Sequence, residues 1–221
     1  MLISHRHRFI FIHVPKNAGL SISAALAPYA DNAPMTQMRR FLSLLPLRED
    51  PRKAFFRHHA TAAWVKLKLP AEIFDGYLKF AVVRNPYDRV ISYYHYLTQN
   101  TAHHRYDQVK GLSFRQYLDY DAERLGKGRT DTQLACVADK SGHILVDRIL
   151  HFETLKADFA DLCSTLDLPA PALPVENASK RPKSADPYAD EESRAHVARL
   201  YAQDFETFGY SLDPATRTAV P

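Results

Sequence analysis

Residues 9 to 22 read FIFIHVPKNAGLSI, and they combine a buried-type strand, a polar turn and the start of a helix. The run from 9 to 14 is apolar except for His13, as expected for a central strand that is covered on both faces. The turn contains Lys16 and precedes residues with helical spacing. Orphan backbone amides, the helix dipole and the lysine ammonium would therefore converge on a phosphate-like group.

The order of residues in this turn limits the kind of phosphate site. A nucleoside triphosphatase loop reads G-x-x-x-x-G-K-[ST], with its glycines ahead of the lysine. Here Lys16 precedes Gly19, so the spacing disfavours a simple ATP or GTP hydrolase. Taken alone, the segment would also fit an ordinary strand-to-helix turn with an exposed lysine.

A second unit of the same kind occupies residues 79 to 97, which read KFAVVRNPYDRVISYYHYL. Its apolar strand ends at Arg84, and the Asn-Pro pair that follows is typical of a helix start. Arg84 offers a rigid fork of donors, and Ser92 adds a hydroxyl about two helical turns later. Both side chains could bind one phosphate, although an ion pair between Arg84 and Asp88 is an alternative.

These two segments resemble the 5′-phosphosulfate loop and the 3′-phosphate motif of sulfotransferases that use 3′-phosphoadenosine 5′-phosphosulfate. The strings VPKNAGLS and VVRNPYDRVISYY carry the resemblance, and their separation of about 70 residues is similar. Within this family, the two segments most resemble those of carbohydrate sulfotransferases. The stretches DRILHFETLKADF, residues 147 to 159, and NASKR, residues 177 to 181, resemble the downstream part of bacterial members.

The resemblance implies a role for each matched residue. Lys16 would hold the 5′-phosphosulfate and stabilise charge on the departing phosphate. Arg84 and Ser92 would hold the 3′-phosphate, which ATP lacks. Further cofactor contacts would come from the turn amides, the serine hydroxyl and the closing loop, at Asn17, Ala18, Gly19, Leu20, Ser21, Ser179, Lys180 and Arg181. No metal ion is expected, because bound cations and amide dipoles can stabilise the developing charge.

Transfer to an alcohol needs a base, and two adjacent histidines are the best candidates. His59 precedes a predicted helix from about residue 60 to 69, and its position resembles that of the presumed base in related enzymes. His58 is the second candidate. Because adjacent residues do not share a face, at most one should point into the site. An unperturbed imidazole with a pKa near 6.5 can accept a proton at neutral pH.

The residues of the acceptor pocket are indicated less specifically by the sequence than those of the cofactor site. Arg105, Arg129 and Gln133 are candidate acceptor contacts, although they fit surface positions equally well. The irregular stretch 28 to 58, with a short amphipathic helix ending near Pro46, is well situated to shape this pocket. A saccharide or glycolipid hydroxyl is the expected acceptor.

Composition predicts one soluble domain over residues 1 to 221. The chain is 46% hydrophobic and 24% charged, with a formal net charge of +4. The sequence has no long Lys/Arg stripe with interleaved aromatic residues, so we do not expect nucleic acid as a partner. Cys136 and Cys163 are expected to be reduced core residues. With no leader or membrane-spanning segment ahead of the first strand, we expect a bacterial, cytoplasmic protein. The sequence leaves the oligomeric state open.

The predicted fold is a three-layer α/β structure with a short, mainly parallel sheet flanked by helices, similar to the nucleotide-kinase-like fold of sulfotransferases. A helix is expected from Leu155 to Leu166 and another from Asp190 to Phe208. The predicted reaction is in-line transfer of a sulfuryl group to a hydroxyl. A phosphotransferase and a non-catalytic nucleotide-binding protein are the alternatives.

Overall fold

The computed structural model describes residues 1–126, 132–169, 173–174, 188 and 190–216. Its residues cluster into two compact units. The first, here called the sheet unit, comprises residues 1–83 and 133–176, and the second, the helical unit, comprises residues 84–132 and 177–221. The single domain predicted for residues 1 to 221 stays a prediction.

A four-stranded sheet organises the sheet unit. Its strands, in spatial as well as chain order, are β1 (Leu2–Ser4), β2 (Phe9–Ile12), β3 (Leu78–Val83) and β4 (Arg148–His151). β1 is antiparallel to β2, whereas β2, β3 and β4 are parallel, with Phe11 opposite Phe80. The α/β class and the mainly parallel sheet are thus confirmed. β1 was not predicted, because three residues carry too little pattern to indicate an edge strand.

Helices account for most of the remaining described chain. In chain order they are α1 (Gly19–Leu26), α2 (Gln37–Leu42), α3 (Ala62–Lys68), α4 (Ala71–Gly76), α5 (Pro86–Gln99), α6 (Tyr106–Val109), α7 (Phe114–Gly126), α8 (Gln133–Val137), α9 (Leu155–Thr165), α10 (Glu191–Leu200) and α11 (Ala202–Thr207). Among the described residues, no helix is both long and apolar enough to cross a membrane.

The core of the sheet unit lies where α1 and α9 pack on one face of the sheet. Phe11 and Phe80 stack there with ring centroids 5.1 Å apart. The other members of this cluster are buried as well: Phe9, Ile22, Ala25, Leu26, Val82, Leu150, Leu155, Phe159, Leu162, Cys163 and Leu168. Residues Ile10 and Ile12, which alternate with these along β2, are also fully buried. Both faces of the strand are covered, which explains its continuous apolar run.

Two expectations for the helices can be compared with the structure. α9 agrees with the predicted helix from Leu155 to Leu166. The predicted helix from Asp190 to Phe208 is wrong as a single element, because Tyr201 breaks it between α10 and α11 with φ −115° and ψ 23°. The buried Tyr201 hydroxyl donates a hydrogen bond to Asp121, a tertiary contact that no local pattern indicates.

The remaining expectations concern the cysteines and the stretch 28 to 58. Cys136 and Cys163 are buried and form no disulfide with each other, as predicted. The short amphipathic helix expected to end near Pro46 is α2, which ends at Leu42. The candidate residues Arg129, Ser179, Lys180 and Arg181 lie outside the described residues.

Candidate functional site

The turn after β2 has an unusual backbone conformation. Lys16 and Ala18 both adopt positive φ, 70° and 56° respectively. A non-glycine residue in this region costs energy and is common only where surrounding structure enforces it. Ala18 is also the N-cap of α1, and its methyl side chain cannot accept a hydrogen bond from the helix. The first amides of α1 therefore begin without the side-chain cap that most helices use.

Asn17 ties this turn to the rest of the sheet unit. Its side chain is buried, and Nδ2 donates to the Val82 carbonyl at 2.8 Å and to Gln133 Oε1 at 2.6 Å. The turn is thereby fixed to β3 and to the start of α8. Gln133 has no exposed surface and supports the turn, whereas its expected contact with an acceptor stays a prediction. Sequence reasoning missed this link because 116 residues separate the two partners.

His13 lies against the first residue of α1. A Cβ atom added to Gly19 would lie 1.9 Å from His13 Nε2, so only glycine fits beside this ring. The ring is buried and stacks on Phe11, with centroids 5.7 Å apart. Burial, together with the Met1 amino group and the two neighbouring histidines, lowers the pKa of His13 to about 2. His13 is therefore neutral and fills the space behind the turn.

His58 and His59 pack against this same ring. Their ring centroids lie 4.1 Å and 4.7 Å from that of His13, and 4.9 Å from each other. His59 Nδ1 is 3.1 Å from the His13 carbonyl oxygen, which can only accept. His59 Nδ1 must therefore carry the proton, which leaves the lone pair of the neutral ring on Nε2. Burial, the Met1 amino group and His59 lower the pKa of His58 to about 4.

His59 lies just before the start of α3. Thr61 caps the helix by accepting a hydrogen bond from the Trp64 amide at 3.2 Å. His59 lies two residues before this cap, in the turn that leads into the helix. The side chain is exposed. The structure thus brings both candidate bases next to the Lys16 turn within the sheet unit.

Arg84 and Ser92 belong to the helical unit. Arg84 directly follows β3 and is 9% exposed, and Ser92 is 5% exposed on α5. Between them, Asn85 caps α5 by accepting a hydrogen bond from the Tyr87 amide at 3.0 Å, with Pro86 in the first helical position. The predicted helix start is therefore confirmed. A guanidinium is suited to charge-assisted, bidentate contact with an anion.

Arg105, a predicted acceptor contact, is buried in the helical unit. Its Nε donates to the Tyr120 hydroxyl at 3.1 Å, and its guanidinium lies 5.5 Å from the centre of the Tyr93 ring. Asp121 is a more distant charge partner at 3.9 Å. These contacts give Arg105 a structural role in this unit, and its contact with an acceptor stays a prediction.

Comparisons with known proteins identify a family for this chain and a similar fold. A model described as the sulfotransferase family matches residues 1–211. An uncharacterised protein of Archaeoglobus fulgidus is 31% identical over 112 residues, which cover 48% of this chain and 82% of that protein. Mouse sulfotransferase SULT7A1 complexed with PAP has a similar fold, with a TM-score of 0.55, 15% identity, and coverage of 92% of this chain and 86% of that one. A sulfotransferase from Alicyclobacillus acidocaldarius has a TM-score of 0.48 and is 16% identical. The match covers 90% of this chain and 92% of that protein.

Proposed function

Because the chain belongs to the sulfotransferase family, its activity is sulfuryl transfer, and we propose that the donor is 3′-phosphoadenosine 5′-phosphosulfate. The proposed acceptor is a hydroxyl of a saccharide or glycolipid. The acceptor oxygen bonds to sulfur in line as the bond from sulfur to the phosphate oxygen breaks, which releases 3′-phosphoadenosine 5′-phosphate. The donor supplies the sulfuryl group. The residues of this chain bind the donor, stabilise the developing negative charge and accept the proton of the acceptor hydroxyl.

The observation that carries this proposal is the start of α1. Its leading amides follow two residues with positive φ, and Ala18 provides no side-chain cap. An uncapped helix N-terminus next to a lysine suits a phosphate or phosphosulfate group, because amide dipoles and the ammonium both favour negative charge. The residues present therefore fit the 5′ end of the donor.

Each residue near this turn has a proposed task. Lys16 stabilises the negative charge that develops on the departing phosphate oxygen. The amides from Asn17 to Leu20 and the Ser21 hydroxyl bind the phosphosulfate oxygens. Preorganised donors of this kind are effective because they need no reorganisation when the charge develops.

The 3′-phosphate is assigned to Arg84 and Ser92. A guanidinium can bind phosphate through two parallel hydrogen bonds, and a serine hydroxyl adds one more. Ser179, Lys180 and Arg181 are proposed to close over the cofactor, as the family resemblance implies. This set of contacts would distinguish the donor from ATP, which has no 3′-phosphate.

We assign the general base to His59. Its Nδ1 proton is directed at the His13 carbonyl, so Nε2 is the atom that can accept the proton of the acceptor hydroxyl. His58 remains the second candidate. Arg105, Arg129 and Gln133 are the proposed acceptor contacts, and the cytoplasm is the proposed location.

Calorimetric titration with 3′-phosphoadenosine 5′-phosphate tests the donor site. We expect wild type to bind it well above ADP, and Arg84→Ala to weaken binding roughly 10- to 100-fold, the size of a charge-assisted contact. Arg52→Ala removes an exposed arginine outside the proposed site and serves as the control. Equal binding of ADP and the bisphosphate by wild type would reject the donor and favour a phosphotransferase.

Substitution of the histidines tests the base. His59→Gln should reduce transfer to a saccharide acceptor by roughly 10²- to 10⁴-fold while bisphosphate binding is retained. His58→Gln is the matched control and should retain most of the activity. If His58→Gln has the larger effect, the base assignment moves to His58. Full activity in both variants would reject a histidine base.

A further inference from the structure

An exposed apolar rim lies on the sheet unit, and none of its residues has a proposed task in binding the donor or in proton transfer. It comprises Met35, Met38, Phe41, Leu44 and Leu47, which are 66%, 67%, 58%, 55% and 53% exposed. Five of the nine large hydrophobic side chains that are exposed among the described residues therefore lie within 13 consecutive positions. Single exposed apolar residues are ordinary, but a cluster of this kind marks an interaction surface.

The backbone that carries the apolar rim is firmly anchored. The buried Lys68 ammonium donates to the carbonyl oxygens of Leu42 at 2.8 Å and Leu45 at 3.2 Å, and it also pairs with Glu49. Trp64 Nε1 donates to the Ser43 carbonyl at 3.2 Å. Three carbonyls at and just after the end of α2 are thus bound by side chains of α3. The segment is held with its polar backbone turned inward and its large apolar side chains exposed.

All charged side chains from residue 32 to residue 48 are positive, whereas Asp31, Glu49 and Asp50 flank the segment. Residues 32 to 48 contain Arg39, Arg40 and Arg48 and no acidic residue. Arg40 and Arg48 are exposed, whereas Arg39 is half-buried and donates to the Pro34 carbonyl at 3.0 Å. The next acidic residue, Glu49, is already paired with Lys68. The segment therefore combines exposed apolar side chains with two exposed arginines, Arg40 and Arg48.

We propose that residues 35–48 dock the protein on an anionic phospholipid bilayer. The apolar rim enters the boundary between headgroups and acyl chains, and Arg40 and Arg48 bind headgroup phosphates. Short surface elements with one apolar face and basic residues bind membranes in this manner, and their affinity depends on anionic lipid. This role is independent of the donor and the base assigned above.

A second copy of the chain fits the surface less well. A two-fold symmetric contact would bring the same patch of both subunits together and would set their arginines against each other. Like charges at an interface oppose association. An anionic lipid surface, in contrast, complements both the apolar and the basic parts of the segment.

Co-sedimentation with large unilamellar vesicles tests this proposal on the full chain. Wild type should bind vesicles of phosphatidylcholine mixed with phosphatidylserine at least roughly tenfold more tightly than pure phosphatidylcholine, and added salt should weaken binding. Phe41→Ser/Leu44→Ser should reduce binding to the anionic vesicles by roughly tenfold or more. The control is Leu212→Ser, which changes a side chain that is 60% exposed in the helical unit.

A second pair of variants separates charge from hydrophobicity. Arg40→Gln/Arg48→Gln should lower binding to anionic vesicles roughly tenfold and leave binding to phosphatidylcholine unchanged. Arg6→Gln/Arg199→Gln removes the same charge from exposed positions elsewhere and should bind like wild type. Circular dichroism and bisphosphate binding verify that each variant is folded.

Three results would overturn the proposal. Wild type could fail to bind anionic vesicles, or the rim variants could bind as well as their controls. Light scattering after size exclusion could instead detect a dimer that Phe41→Ser/Leu44→Ser dissociates, which would make the apolar rim an interface between copies. None of these results bears on donor binding, so the proposed function is tested separately.

Discussion

The starts of α1 and α5 arise from the same sequence pattern, an apolar strand followed by a polar turn, yet they have opposite chemistry. α5 is closed by its own residues, because Asn85 caps its amides and Asp88 lies in its first turn. α1 begins at Ala18 with no side-chain cap and no acidic residue in its first turn. If the proposed function holds, α5 presents side chains to an anion, whereas α1 presents its backbone amides.

The two starts also differ in what holds them. The turn before α1 depends on distant groups, since Asn17 reaches Val82 and Gln133 while His13 packs on Gly19. The start of α5 depends on its own neighbours, Asn85 and Pro86. Substitutions at the first should therefore have larger and less local effects than substitutions at the second.

Lys16→Ala should have the largest effect. If the backbone of α1 and this ammonium together stabilise the departing phosphate, sulfuryl transfer should fall by roughly 10²- to 10³-fold. Steady-state kinetics with a saccharide acceptor measures the loss. Lys66→Ala, an exposed lysine on α3, should leave the rate unchanged. An equal loss in both variants would mean that Lys16 has no specific role.

Gly19→Ala should have the second-largest effect, because it disrupts the start of α1. The added methyl group would overlap the buried His13 ring, which cannot move without leaving Phe11, so we expect a loss of about 1–3 kcal/mol in unfolding free energy. Chemical denaturation measures it. Gly126→Ala is the control, because a Cβ there meets nothing within 4 Å.

A double-mutant cycle locates the cause of that loss. In a His13→Ala background the ring is absent, so Gly19→Ala should cost much less than in wild type. Equal costs in both backgrounds would show that contact with His13 does not explain the need for glycine.

Acid should weaken the sheet unit through the histidines behind the turn. Burial holds the pKa of His13 at about 2, below its unfolded value of 6.5, so the unfolded chain binds more protons between these limits. Stability should therefore fall as the pH drops below about 6.5, by at most about 1.4 kcal/mol per pH unit for one such group. Denaturation at a series of pH values measures this slope.

Substitution of His13 tests whether this residue causes the pH dependence of the unfolding free energy. His13→Phe keeps an aromatic ring that does not titrate, so the stability of this variant should depend less on pH below about 6.5. The exposed His143→Gln should keep the wild-type dependence. An unchanged slope in His13→Phe would assign the acid sensitivity to other groups.

Asn85→Ala should have the smallest effect of the series. Loss of the cap that accepts from the Tyr87 amide should lower the unfolding free energy by about 1 kcal/mol. Asn85→Ser retains a capping oxygen and should recover most of it. A loss well above this in Asn85→Ala would mean that Asn85 does more than cap α5.

Short local patterns were sufficient for several predictions. The strands before Lys16 and Arg84, the helix start at Asn85 and helix α9 all agree with the sequence analysis. Strand β1 and the break at Tyr201 were not foreseen. At the break, the buried Tyr201 hydroxyl donates a hydrogen bond to Asp121, 80 residues away in the chain.

The sequence by itself determined the α/β class, the two strand–turn–helix segments and the residue types available to an anion, because these depend on neighbouring residues. Only the tertiary structure decided that His13 would close on Gly19, that His59 would donate to the His13 carbonyl, and that Lys68 would present an exposed apolar rim. These features join residues that are distant in the chain. They depend on how the packed elements meet, which no contiguous pattern encodes.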